Sequence, residues 1–331
     1  MTARPRSDVA STLVSRGSSF PENAHATIFS THEHAINLRV PESDELLSIT
    51  TSLDAMTVTS LGLHATSELA DLRALGLERG APVRVQPGLV ESGPSRLVLT
   101  GLSCARVFDG SIRARGSKEA GETGEPTFAT GRGMLLDAIV ERALGDGFAP
   151  VAARLATGDA NVGPDNPFAT AAWARLQGIA PEASLAALGS LIGLGQGLTP
   201  SGDDFVVGVL AARAVAAGTA PAGTFAPDTA SADALRARLA STTLAGATIV
   251  SQALRGCFPA YLCEFARAFT RALVAVEAHT GGASAPPSDA SPSPPSARTL
   301  IRAAVNRAAR HGHSSGIDAL TGFAWGLPAS A

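Results

Sequence analysis

Between Ala26 and Phe108 apolar and polar positions alternate in short runs. Ala26–Ser30, Ala35–Val40, Leu46–Thr50, Met56–Thr59, Pro82–Val85, Arg96–Thr100 and Ala105–Phe108 are each β-prone and bounded by turn residues such as Pro41-Glu42-Ser43-Asp44-Glu45. Alternation of this kind places one face of each strand in a core. A polar, leucine-bearing stretch at 66–79 predicts a short helix among them. Frequent turns between short strands predict a small β-barrel or sandwich. Residues 1–22 are polar and irregular and read as a flexible arm, which leaves 23–112 as the β-rich domain. Beyond Met134 the period lengthens. Met134-Leu135-Leu136, Ile139-Val140 and Leu144 recur at helical spacing, as do positions around Ala152–Leu155, Ala171–Leu176, Ala183–Ile192, 231–254, 259–278 and Ala297–Arg310. The expected fold is α+β: the β-rich domain, a linker over 113–130, and a mainly helical domain over 131–331. The proline- and serine-rich segment 281–296 cannot build a core and reads as a disordered insertion.

Composition narrows the partners. A chain of 331 residues holds two domains, and a net charge of -3 gives no reason to expect a nucleic-acid partner. Lys118 is the only lysine and lies in the polar linker, so no Schiff-base chemistry is expected. The three cysteines (Cys104, Cys257 and Cys263) fit no metal spacing, and their odd number argues against a disulfide framework. No apolar stretch reaches membrane-spanning length free of charge or proline, and Met1–Arg6 leads into no signal-peptide core. The expectation is a cytoplasmic protein without a membrane segment.

One stretch breaks the helical pattern. Gly193-Leu194-Gly195-Gln196-Gly197-Leu198-Thr199-Pro200-Ser201-Gly202-Asp203-Asp204 sets three alternating glycines before a capped, acidic helix start. Glycines free the backbone to approach a ligand, and Ser201 with Asp204 matches an acidic variant of the capping box. Capping alone explains Ser201 and Asp204; it does not explain the glycines. The end of the chain repeats the pattern: Ser201-Gly202-Asp203-Asp204-Phe205-Val206-Val207-Gly208 and Ser315-Gly316-Ile317-Asp318-Ala319-Leu320-Thr321-Gly322 both read S-G-x-D-x-x-x-G. A glycine inside a helix costs about 1 kcal/mol, a loss offset when another backbone packs against it. The repeat therefore predicts two helices that start side by side and cross near Gly208 and Gly322.

Two helix starts favour an anion, and the aspartates would oppose one. Either Asp204 and Asp318 serve as structural caps, or they hold Mg²⁺, the cofactor the motif allows. Asp203 reads as the free carboxylate and as a candidate catalytic residue that orients His313 or a metal. Gly193, Gly195, Gly197, Thr199, Ser201, Ser314 and Ser315 are the candidate substrate-binding residues. His313 is the candidate proton carrier, with a histidine bonded to local backbone as an equal alternative.

The two motifs, Gly-x-Gly-x-Gly-Leu-Thr-Pro-Ser-Gly-Asp-Asp at 193–204 and Gly-His-Ser-Ser-Gly-x-Asp at 312–318, resemble those of the AllH family. Weaker marks agree: His34-Ala35-Ile36-Asn37-Leu38, Glu45-Leu46-Leu47-Ser48, Thr242-Thr243 and Gly256-Cys257-Phe258. The resemblance implies a subunit of an oxamate carbamoyltransferase in allantoin breakdown, a transferase converting oxalurate and phosphate to oxamate and carbamoyl phosphate. It also implies FdrA-like and AllG-like partner subunits. The small anionic substrate (oxalurate, carbamoyl phosphate or phosphate) would sit at the glycine loop. A Mg²⁺-dependent hydrolase using Asp203, Asp204 and Asp318, and a non-catalytic metabolite-sensing subunit, are the alternatives.

Overall fold

The structure is a computed structural model that describes residues 7–41, 43–112, 125–143, 145–179, 185–218, 227–280 and 295–328. The fold is α+β, with an N-terminal sheet followed by a helical region. The chain divides into two compact units, Met1–Gly110 and Ser111–Ala331.

The first unit is a barrel. Its strands are β1 (Ser7–Gly17), β2 (Ala24–Thr31), β3 (Ala35–Arg39), β4 (Leu46–Thr50), β5 (Ser60–Leu63), β6 (Pro82–Gln86), β7 (Leu89–Ser92), β8 (Ser95–Thr100) and β9 (Arg106–Phe108). Their order is β5-β4-β3-β2-β6-β7-β8-β1-β9, and β1 also pairs with β5, which closes the ring. Closure removes the sheet edges that would otherwise recruit another chain. β1 achieves this by changing partners along its length. Ser7–Thr12 pair with β8, Leu13–Arg16 with β5 across a bulge between Leu13 and Ser15, and Ser15–Gly17 with β9. The alternation in the sequence points inward: Ile28, Ile36, Leu38, Val83, Val85, Leu97 and Leu99 are all buried in one cluster.

Several expectations change here. Residues 7–17, expected in a flexible arm, form the strand β1. Their polarity suggests an arm, yet Val9, Leu13 and alternating small residues suffice for a strand whose outward face is polar. Met56–Thr59 is not a strand; the chain turns there, and the strand runs over Ser60–Leu63. Residues 66–79 hold two 3₁₀ turns, Ser67–Leu69 and Leu72–Leu75, in place of one helix.

The second unit contains α1 (Glu125–Ala143), α2 (Ala149–Thr157), α3 (Pro167–Leu176), α4 (Ser201–Ala216), α5 (Thr229–Arg236), α6 (Leu244–Ala253), α7 (Ala260–Thr280), α8 (Ala297–Ala308) and α9 (Ser315–Gly326). Part of the expected linker, residues 125–130, is already the first turns of α1. Residues 113–124, and 281–294 of the expected insertion, lie outside the described residues. The helix expected over Ala183–Ile192 is a 3₁₀ turn at Leu185–Ser190, and the span 231–254 is broken between α5 and α6.

α4 and α9 form the centre. Every residue of α4 from Ser201 to Ala214 is buried except Arg213, and so is all of α9 from Gly316 to Gly326. The helices cross at the predicted glycines. A β-carbon at Gly208 would overlap the carbonyl oxygen of Ala319, and one at Gly322 would overlap that of Phe205. Phe205 lies beside Phe148 and Trp325, with ring centroids 5.9 and 6.1 Å away. Phe323 meets Phe265 and Phe269 edge-on. Such aromatic contacts each add about 0.5–1.5 kcal/mol beyond burial.

Candidate functional site

The loop that delivers the chain into α4 depends on its glycines. Gly193 and Gly195 have φ of +79° and +133°, values that disfavour any side chain. A β-carbon would also overlap the Ser241 carbonyl oxygen at the first and approach the Ser201 nitrogen at the second. Gly197 (φ +93°) lies exposed at the loop tip, with open space where a side chain would go. Asp203 clasps this loop from inside. One of its carboxylate oxygens accepts the Gly193 N–H at 2.8 Å, and the other accepts the Thr242 hydroxyl. Thr243 donates to the Leu198 carbonyl and caps α6 by accepting the Gly246 N–H at 2.9 Å. Asp203 is therefore not the free carboxylate expected from sequence; it is fully buried with both oxygens engaged. Burial raises its pKa, and the two hydrogen bonds oppose that rise.

The repeated motif builds one site from both helix starts. Ser201 and Ser315 each occupy the first helical position, after Pro200 and Ser314, so neither is the cap residue of its own helix. Their hydroxyls reach across instead: Ser201 hydrogen-bonds the carboxyl of Asp318, and Ser315 that of Asp204. The glycines that follow them, Gly202 and Gly316, sit where a β-carbon would overlap the carbonyl oxygens of Leu191 and Ala308. Thr199 also hydrogen-bonds Asp204, and its Oγ1 lies 3.0 Å from Ser315 Oγ. Asp318 is well satisfied. It accepts the Phe148 N–H at 2.6 Å, at the start of α2, and the Ser314 hydroxyl at 2.9 Å. Asp204 is not: among the described residues, its buried Oδ2 has no hydrogen-bond partner.

Two carboxyl groups out of water and close to each other cannot both ionise cheaply. Burial pushes Asp318 up to about 6, against the hydrogen bonds from Phe148, Ser201 and Ser314. Burial pushes Asp204 well above the ordinary carboxylate range, and the Asp318 charge adds to the shift. Tyr261, from α7, is buried beside the pair; burial and both aspartates raise its pKa. Its ring stacks on His311, with the centroids 4.1 Å apart.

The structure thus brings together Thr199, Ser201, Asp204, Ser314, Ser315 and Asp318. It engages Gly193 and Asp203 in the loop clasp, and leaves His313 exposed in the turn before Ser314. No hydrogen bond among the described residues ties His313 to the carboxyl pair. Asp203 points into the loop clasp, and among the described residues no group of three or more His, Cys, Asp or Glu side chains is placed to hold a metal ion. Asp203, Asp204 and Asp318 therefore do not form one ligand set. Sequence reasoning missed Phe148 as the partner of Asp318, because a backbone N–H 170 positions away leaves no signal in residue identity. Tyr261, buried beside the pair on α7, is likewise not among the site residues singled out from sequence.

These features describe an α+β protein whose helical unit closes two helix starts around a protonatable carboxyl pair. Residues 191–284, which include the glycine loop, α4, Thr242 and Tyr261, match the model of the AllH family, described as oxamate carbamoyltransferase subunit AllH. The second motif, at 312–318, lies beyond the matched stretch. No curated protein and no solved structure matches the chain significantly. Among the described residues, no helix is long and apolar enough to cross a membrane.

Proposed function

We propose that the chain is a subunit of an oxamate carbamoyltransferase-like enzyme and contributes a site for a small anionic substrate. The family match over the glycine loop and α4 carries this reading. Two helix starts that converge supply a favourable dipole for negative charge, and hydroxyls of Thr199 and Ser315 line the same place. In the reaction, an oxygen of phosphate attacks the ureido carbonyl of oxalurate. The bond from that carbon to the oxamate nitrogen breaks, and the nitrogen leaves with a proton. Oxamate and carbamoyl phosphate result. Backbone and hydroxyl donors around Gly195, Gly197 and Thr199 would steady the charge that develops on the carbonyl oxygen. Ser201 and Ser314 hold Asp318 in place, Asp203 and Gly193 fix the loop, and the exposed His313 exchanges protons with solvent. FdrA-like and AllG-like subunits complete the enzyme in the cytoplasm.

The test is an assay of the purified chain, alone and with such partners, for phosphate-dependent cleavage of oxalurate. Carbamoyl phosphate formed in either setting supports the reading. Its absence from both overturns it.

A further inference from the structure

We propose that Asp204 donates a hydrogen bond from Oδ2 to the carboxylate of a small ligand held between the starts of α4 and α9. This deepens the reading of the place as an anion site and rests on it. Among the described residues, Asp204 Oδ2 is the buried oxygen of the cluster that has no partner. A buried polar atom left unpaired is costly, and the surrounding hydroxyls do nothing to relieve it. Ser315 and Thr199 hydrogen-bond the Asp204 carboxyl, yet Oδ2 stays free. An acid proton belongs on the oxygen that accepts nothing, so Oδ2 is an O–H donor in search of an acceptor.

A protonated Asp204 resolves the conflict between an anion site and its aspartates. A neutral acid adds no negative charge and supplies a donor. The groups facing it are Asp318 on α9, Asp203 on α4, and Tyr261 with Cys263 behind it on α7; α6 brings no charged side chain. Asp146 lies near Asp318, and His311 stacks on Tyr261. Among the described residues, no arginine or lysine is one of the groups that shift either carboxyl. A dianionic phosphate would lack a countercharge there, whereas a carboxylate needs only donors.

If Asp204 must carry its proton to bind, affinity follows its titration. Binding weakens up to about tenfold per pH unit once the pH passes the pKa of the pair, and above that limit binding takes up a proton. Oxamate is a suitable probe because its carboxylate stays ionised across about pH 5 to 9. Calorimetric titration of the full chain should show oxamate binding that weakens as pH rises. Asp204→Asn, whose amide replaces the O–H donor, should retain binding and lose the pH dependence. Asp204→Ala should lose binding by at least about tenfold while unfolding cooperatively; if Ala does not fold, the Asn variant decides. No oxamate binding, pH-independent binding by the wild type, or unchanged pH dependence in Asp204→Asn each overturns the proposal. Failure here is separable from failure of the carbamoyltransferase reading. Oxamate bound as described without cleavage of oxalurate sinks only the latter, and cleavage untouched in Asp204→Ala sinks only the former.

Discussion

Asp203 and Asp204 are adjacent, both buried, and do different work. Asp203 satisfies a backbone N–H and a threonine hydroxyl in the loop clasp. Asp203→Ala leaves both donors buried and unpaired, so a loss of about 2–4 kcal/mol in stability is expected from denaturant unfolding. Asp318 titrates differently from a surface carboxylate. Its folded-state pKa of about 6 exceeds the ordinary value of 3.8, so the folded state keeps a proton that the unfolded chain has released. The stability that this proton confers is fully present below the lower value and is lost as pH rises through the upper one. The loss is on the order of 3 kcal/mol. Asp318→Asn carries no charge to titrate and keeps an acceptor for Phe148. Its unfolding free energy should decline less between those two pH values than that of the wild type. A variant whose decline matches the wild type would show that Asp318 is not the group responsible. The residue scale was only partly legible in the sequence. The paired carboxyls and their serines stand in the repeated motif, but their bonds run across the helices and not within them. Capping rules describe one helix at a time and so assign each serine to its own helix.

At the scale of elements, the crossing of α4 and α9 was readable because a glycine inside an apolar helix is a loss that close backbone packing offsets. Gly208→Ala and Gly322→Ala push a methyl into the partner backbone and should each cost at least about 2 kcal/mol. Gly133, in α1, is the control. It is exposed and has open space around a β-carbon, so Gly133→Ala should stabilise by about 0.5–1 kcal/mol. Equal effects at the two kinds of site would refute the close crossing. The strands were legible wherever one face is apolar, as in β2, β3, β6 and β8. β1 was not, because Ser7–Gly17 mixes polar and small residues and owes its structure to three different neighbours. β7 was also missed, since Leu89–Ser92 is four residues long and too short to show a period.

For the whole molecule, the barrel depends on β1 for closure, and the helical unit depends on its two motifs for the carboxyl pair at the helix starts. Removing residues 1–17 takes away a partner of β5, β8 and β9 together. The truncated chain should lose cooperative unfolding of its β-signal or aggregate through the opened edges. A truncated chain that stays monomeric, with the β-signal unfolding at the wild-type temperature, would contradict the closure described. The family resemblance was legible through the long 193–204 motif, whose residues fall inside the stretch that matches the model of the AllH family. The repeat predicts that this stretch and 315–318 start side by side; the geometry adds the hydrogen bonds that run across them. Whether this convergence forms a working site is decided by the carbamoyl phosphate made from oxalurate and phosphate when the chain is assembled with FdrA-like and AllG-like subunits. Product is expected with the wild-type chain, and at least about a hundredfold less with Ser315→Ala and Asp204→Ala combined. Product undiminished by the double substitution, or none from the wild-type assembly, would contradict a site at the two helix starts.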